Sequence, residues 1–412
     1  DRKKGMKLEF IDVRRAYFNA KAKREVYVDL PPEDYEEGMC GKLDKAMYGT
    51  RDAAQNWEAE YMDFMESMGF QGGMSTPCVF YHPTRKMYAV VHGDDFTLLG
   101  HTADLNWFRE RMTSRYVIKA KARLGPCPGD DSSVRVLNRV VTWDEQGIHY
   151  EADQRHAEII IEQMGLQDSN GVVTPCERDD LGKEGDKLSA SASTTFRALV
   201  ARANFLSQDR SDIGFAVKEL SRKMSSPEDV DMVCLKRLAR YLQFRPRVVV
   251  QYFYQSSWNQ ISAYTDTDWA GCKRTRRSTS GGMLFLGSHW IKGYSTTQNV
   301  IALSSGEAEL YGMVKGSSHA LGLRSLLLDF GIDSTIDVHT DASAAIGITS
   351  RKGLGKVRHL ETNQLWIQDK VKSKEISVHK CKGPENPADA LTKPVKNDEL
   401  TAHIWMSDML VK

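Results

Sequence analysis

The sequence predicts a multidomain protein of mixed α+β and α/β class, and three observations carry that expectation. At 412 residues the chain exceeds the roughly 150 residues that one core usually organises, so more than one domain is expected. Up to about residue 150, strand-like runs alternate with helical ones without a regular β-α-β rhythm. From Val248 onward the order becomes strand, strand, strand, helix, strand, helix, helix, strand, helix, which reads as a separate sheet with its own helices.

Composition narrows the class. With 41% hydrophobic and 27% charged residues the chain lies within globular ranges, which excludes collagen-like, mucin-like and wholly disordered proteins. Lys+Arg 56 against Asp+Glu 55 leaves a formal charge of +1, so any nucleic-acid surface must be local.

The elements follow in order. Met6 to Val13 reads as a strand, a basic helix is expected from Arg14, a hairpin around Glu25 to Leu30, and a long helix from Ala53 to Met68. Two apolar runs flank Gly93-Asp94-Asp95 as the arms of a second hairpin. Between Asp168 and Ala190 the sequence turns polar and Gly-rich, the signature of a linker. Residues 191–245 carry apolar positions at helical spacing, such as Phe196, Leu199, Val200 and Ala203, and form a helical connector. Ile261 to Asp266, Gly282 to Leu286 and His289 to Lys292 give three strands. A helix from Ser305 to Phe330, a strand Ile336 to Thr340, a helix from Ala342, a helix Glu361 to Lys372, a strand Ile376 to His379 and a final helix from Pro387 complete the pattern.

Four acids of this last region stand at element ends: Asp266, Glu309, Asp341 and Asp389. Neighbouring strand ends can bring such carboxylates together, and hard oxygen ligands suit Mg²⁺. The chemistry implied is two-metal hydrolysis of a phosphodiester, with ions about 3.5 to 4 Å apart. Ser304-Ser305-Gly306-Glu307 has capping-box spacing, so Glu307 is expected to reach back to the Ser304 amide. Glu309, about 200° further around the helix, faces elsewhere and is preferred as the ligand. Asp266 and Asp268 share a strand face, and the sequence alone leaves the choice open.

Seven widely spread cysteines without a Cys-x-x-Cys argue against a disulfide framework and a zinc site. No apolar run approaches the roughly 18 to 20 residues of a membrane span, and no signal region precedes the first strand. The expectation is a protein that stays inside the cell, without a membrane partner.

Tyr264-Thr-Asp-Thr-Asp-Trp-Ala-Gly271, Arg277-Ser-Thr-Ser-Gly281, Ala302-Leu-Ser-Ser-Gly-Glu-Ala-Glu-Leu310, His339-Thr-Asp341 and Asn386-Pro-Ala-Asp-Ala-Leu-Thr-Lys393 together resemble the ribonuclease H region of copia-type retrotransposon Pol polyproteins. The resemblance implies a ribonuclease H-like domain with a mixed five-stranded sheet, in which Asp266, Glu309, Asp341 and Asp389 bind metal. His379, in Val378-His-Lys-Cys-Lys-Gly383, is similar to the loop histidine that ribonucleases H use near the product phosphate.

In the first half, Phe10-Ile-Asp-Val-Arg-Arg-Ala-Tyr-Phe-Asn19 and Val91-His-Gly-Asp-Asp-Phe96 resemble the metal-binding motifs of the family's reverse transcriptase. This implies Asp12 and Asp94 as ligands, with Asp95 adjacent, and Tyr17 as the aromatic that closes over the sugar. Lys42 to Trp57 resembles the family's Lys-x-x-Ala-Leu-Tyr-Gly-Leu-Lys-Gln-Ala-Pro-x-x-Trp segment near the incoming nucleotide, which makes Arg51 and Asp52 substrate-binding positions. Asp52 replaces the family's Gln with a group that repels phosphate, and His92-Gly93 replaces the usual Tyr-Val.

Phe196-Arg-Ala-Leu-Val, Arg210 to Val217, Leu220 to Pro227 and Lys236 to Leu242 resemble the family's connector. The chain begins eleven residues before Asp12, so a polymerase lacking its fingers segment is expected. The basic groups Lys236, Arg237 and Arg240, and Lys273, Arg274, Arg276 and Arg277, could track a phosphate backbone.

The organisation expected is therefore a partial reverse transcriptase palm at 1–167, a linker and helical, thumb-like connector at 168–255, a ribonuclease H-like domain at 256–395 and a tail at 396–412. The resemblance implies Mg²⁺ or Mn²⁺ as cofactor, two ions per site, and an RNA template, a DNA primer, RNA/DNA hybrid and dNTPs as partners beside the integrase and protease segments. It also implies a cytoplasmic location in virus-like particles, with the nucleus as the alternative. The expected function is RNA hydrolysis in hybrids beside an impaired polymerase; the alternative is a catalytically inactive or domesticated nucleic-acid-binding relic.

Overall fold

The computed structural model describes residues 5–355 and 362–411. The chain resolves into two compact units: one holds the chain up to residue 136 with 142–145 and 325–332, the other 137–141, 146–324 and the chain from 333 onward.

The first unit is built on an antiparallel sheet of β1 (Lys7–Val13), β2 (Gln71–Gly72), β3 (Val79–His82), β4 (Met87–His92), β5 (Asp95–Gly100) and β6 (Ile118–Leu124), in the order β2-β3-β4-β5-β1-β6. Period-two alternation sends Met87, Ala89 and Val91 of β4 and Phe96 and Leu98 of β5 inward. They meet α1 (Ala53–Ser67), which contributes Ala53, Trp57, Tyr61 and Met65 at four-residue intervals, and α2 (Thr102–Arg115), which contributes Leu105, Phe108 and Met112. Two expectations change here. Arg15 adopts a left-handed φ of 53°, so the chain after Arg14 makes a short 3-10 turn over Ala16–Asn19 in place of a basic helix. Tyr27–Val28 pairs with the distant Gly41–Lys42, and not within a hairpin at Glu25 to Leu30.

The second unit contains two sheets. In the first, β8 (Val248–Phe253) is paired antiparallel on one side with β7 (Gly147–Glu151) and on the other with the chain's last strand, β14 (Met409–Val411). Around it pack α3 (Arg155–Gln163), α4 (Ala190–Leu206), α5 (Gly214–Ser221), α6 (Asp229–Phe244) and α10 (Asn397–Met406), sharing one core that includes Ile160, Phe196, Leu235, Tyr241 and Ile404. Residues 397–411 are thus an integral helix and strand, and residues 147–163 fold with the connector helices.

The second sheet runs β11-β10-β9-β12-β13, from β9 (Gln260–Asp268), β10 (Thr279–Leu286), β11 (His289–Thr297), β12 (Thr335–Thr340) and β13 (Ser377–Lys380). Pairing is antiparallel from β11 to β9 and parallel from β9 to β13. The long helix α7 (Ser305–Asp329) and the short helices α8 (Ser343–Thr349) and α9 (Trp366–Lys372) complete it. The helix expected from Glu361 begins at a residue outside those described. The helix expected from Pro387 is a three-residue 3-10 turn, Asp389–Leu391, followed by α10. No helix among the described residues is long and apolar enough to cross a membrane.

Candidate active site

The parallel register of β9 and β12 aligns two carboxylates. Tyr264 lies beside His339, and two residues further along each chain stand Asp266, on the same face of β9 as Tyr264, and Asp341, one residue past the end of β12. Parallel neighbours present their carboxyl ends on one sheet edge, where ligands of such sheets bind.

The third carboxylate arrives on α7, and glycines set how closely that helix approaches. A Cβ at Gly312 would lie 2.6 Å from Thr267 Oγ1, and one at Gly316 2.3 Å from Thr265 Cγ2. Only glycine permits this backbone contact, and Glu309 precedes Gly312 by one turn and Gly316 by two on the same helix face. The Thr267 hydroxyl donates to the Ala308 carbonyl at 3.3 Å, and Gln298 Nε2 donates to the same oxygen at 2.9 Å. Asp266, Glu309 and Asp341 each offer an oxygen within 4.8 Å of the others, and they are the one group of three metal-ligating side chains found among the described residues.

Electrostatics mark the cluster as a cation site. Burial, then the charges of Asp266 and Asp341, push the Glu309 carboxyl up to about 9. Burial also raises Asp266 to about 6, opposed by the hydrogen bond from the Thr392 hydroxyl and reinforced by Asp389 and Asp341. Carboxylates this close do not share full ionisation without a countercharge. Glu309 Oε2 is buried and has no hydrogen-bond partner among the described residues, a need that a metal ion would satisfy. The residues present therefore fit a divalent cation.

Around the cluster, each remaining site residue has a definite place. Glu307 caps the helix, accepting from the Leu303 amide at 2.7 Å and the Tyr311 hydroxyl at 2.9 Å; its carboxylate reaches the Leu303 amide, one residue before the one expected. Asp268, raised by burial, lies outside the group of three, so the structure brings Asp266 into it. Asp389 is also outside it and is held by Lys393 Nζ. Its turn crosses β10 at Gly281, where a Cβ would meet Thr392 Cγ2 at 2.7 Å. His379 lies on β13 opposite His339, stacked on that ring and 3.1 Å from Asp337 Oδ1; it is a strand residue bound to Asp337, where a loop histidine was expected.

Of the basic runs, Arg237 contacts Glu177 and Thr174, and Arg240 donates to the Asn170 carbonyl at 2.7 Å. Both fix the polar segment after α3. Sequence reasoning missed Lys393, Thr392 and the Gly312/Gly316 pair; the four-residue glycine interval in an otherwise well-formed helix was the available signal.

The first unit gathers its motifs differently. Asp12 pairs in register with Asp95, and Asp94 sits exposed in the turn after Gly93, whose φ of 63° suits the first position of a tight hairpin turn. Trp57 donates its indole N–H to the Gly93 carbonyl at 2.8 Å, tying α1 to this hairpin. Tyr17 stacks on Tyr48 with centroids 4.3 Å apart. Asp52 accepts from Asn56 and Arg24, which hold its carboxyl below the usual range; Arg51 is exposed beside it. Lys121 Nζ bridges Asp12, at 3.1 Å, and Asp95. An ammonium already between the acids means that this pair, as arranged, does not fit a metal ion.

Comparison with known proteins agrees with both units. Residues 2–178 match the reverse transcriptase (RNA-dependent DNA polymerase) family. The Retrovirus-related Pol polyprotein from transposon RE1 of Arabidopsis thaliana is 27% identical over 395 residues, covering 93% of this chain and 26% of its own length. The counterpart from transposon TNT 1-94 of Nicotiana tabacum is 23% identical, covering 96% and 30%. The chain thus spans about a quarter of the length of such relatives. A solved foamy viral protease-reverse transcriptase in complex with RNA/DNA hybrid shares the fold, with a TM-score of 0.56 at 11% identity, over 92% of this chain and 44% of that one. The ordered motifs, the sheets of the two units and these relatives lead to one assignment: the chain is a retrotransposon- and retrovirus-Pol-like reverse transcriptase plus ribonuclease H region, similar to copia-type Pol polyproteins.

Proposed function

We propose that the chain hydrolyses the RNA strand of RNA/DNA hybrids at the Asp266–Glu309–Asp341 cluster, with Mg²⁺ or Mn²⁺ as cofactor and two ions at the site. The observation that carries this reading is the group of three carboxylates around the Glu309 oxygen that has no hydrogen-bond partner among the described residues. Bound ions supply Lewis acidity that activates water and stabilises the leaving oxygen. The protein's part is to hold the ligands. The Thr392 hydroxyl fixes one oxygen of Asp266, the glycine-seated helix fixes Glu309, and Lys393 keeps Asp389 at the margin as a fourth acid.

In this proposal the chain up to about residue 136 is the polymerase palm region, residues 147–255 together with 397–411 are the connector, and 256–395 is the ribonuclease H region. RNA template, DNA primer and dNTPs are the polymerase's substrates. The test is cleavage of a labelled RNA/DNA hybrid in Mg²⁺ by the chain and by Asp341→Asn, with primer extension on the same samples. Cleavage lost in the variant is expected. A parent chain that does not cleave overturns the proposal in favour of a nucleic-acid-binding relic, which salt-dependent hybrid binding alone would identify.

A further inference from the structure

The palm acids are engaged by a side chain that no motif contains. β6 runs antiparallel to β1, where Ala122 faces Phe10 and Ala120 faces Ile11. Lys121 between them has no opposite residue and is the extra residue of a β-bulge. A bulge re-aims the side chain it carries, and here it directs Lys121 onto the Asp12 side. The ammonium contacts Asp95 Oδ1 and stands 3.1 Å from Asp12 Oδ2. Register sets these two carboxylates opposite each other on adjacent strands. The lysine is three-quarters buried, at 25% side-chain exposure.

A cation between two convergent carboxylates fills the place and supplies part of the charge that a divalent ion would bring. Asp94, the other acid of the hairpin, is exposed in the turn. We propose that Lys121 is an internal counter-ion that closes the Asp12–Asp95 pair to divalent cations, leaving the palm site switched off while the bulge holds the lysine there. The inference rests on reading the palm acids as metal ligands, with Asp95 standing beside Asp12 where Asp94 was expected. It also separates the two units functionally: the glycine-seated cluster is open to metal and the palm is not.

The test measures Mn²⁺ binding by the electron paramagnetic resonance of free Mn²⁺, on the full chain carrying Glu309→Gln and Asp341→Asn so that the other cluster is disarmed. Adding Lys121→Met is expected to tighten binding at least tenfold, Lys121→Gln to do the same, and Lys121→Arg to leave it weak. Adding Asp12→Asn to the Lys121→Met chain should abolish the gain. Melting curves with and without Mn²⁺ report folding independently, and Lys121→Met should show the larger Mn²⁺-induced rise. If Lys121→Met and Lys121→Gln both fold and bind no tighter than their parent, the counter-ion role is wrong. Should residual binding nevertheless fall on Asp12→Asn, the palm reading survives without it. If the gain appears but survives Asp12→Asn, the metal lies elsewhere and the palm reading fails.

Discussion

Replacing Gly316 by alanine perturbs the site without touching a ligand. The new Cβ would stand 2.3 Å from Thr265 Cγ2, where ordinary contact begins at 3.4 Å, so helix and strand must part by about 1 Å. Thr265 has no freedom to yield: it is fully buried on β9, between β10 and β12. Overpacking of this kind costs roughly 1–3 kcal/mol. Alanine's better helix propensity returns about 1 kcal/mol, and Gly322→Ala on the same helix isolates that gain, because a Cβ at Gly322 meets nothing within 4 Å among the described residues. The two variants should therefore differ in stability by about 1–3 kcal/mol in urea unfolding. Glu309 lies two turns before Gly316, and displacement of a reacting group by about 1 Å can cost about 100-fold in rate. Hybrid cleavage should accordingly collapse in Gly316→Ala and persist in Gly322→Ala. Equal stability and equal cleavage in both would refute the claim that glycine contact seats the ligand.

Other consequences follow from buried charge. Arg210 and Asp212 form a bidentate pair, with Nε to Oδ1 at 2.9 Å and Nη2 to Oδ2 at 2.7 Å, and Asp212 also accepts from the Tyr241 hydroxyl at 2.8 Å. Asp212→Ala strands a buried guanidinium and should cost about 3–5 kcal/mol; an unchanged urea midpoint would contradict this. Burial, aided by Lys292 and Lys315, holds the His319 imidazole down to about 4. The unfolded chain then binds more protons between about pH 6.5 and 4, so His319 favours folding above that window and the benefit is lost as pH falls through it. Partial exposure limits the loss to about 1–2 kcal/mol. His319→Gln should flatten the acid limb of the stability curve, and an unaltered limb would argue against the assignment.

Ordered motifs made most of the architecture legible. Asp266, Glu309 and Asp341 sit at element ends that hydrophobic periodicity locates well, and the capping box separates Glu307 from Glu309. Long-range contacts escaped that kind of inference. Nothing local to Val248–Phe253 says that its partners are Gly147–Glu151 and Met409–Val411, so a terminal helix and strand read as a tail. The polar run after residue 168 resembles a linker because its anchors, Arg237 and Arg240, lie far along the chain. The bulge that aims Lys121 is equally silent, since the residues Ile118–Leu124 alternate like any strand. Arg15 took a left-handed conformation inside a basic, helix-favouring run, where the geometry after a strand-end motif outweighed propensity.

Anomalous scattering from Mn²⁺-soaked crystals tests the central claim most directly. The account predicts density among the carboxylates of Asp266, Glu309 and Asp341, and none between Asp12 and Asp95 while Lys121 is present. Density absent from the first cluster, or present only at the second, would contradict it.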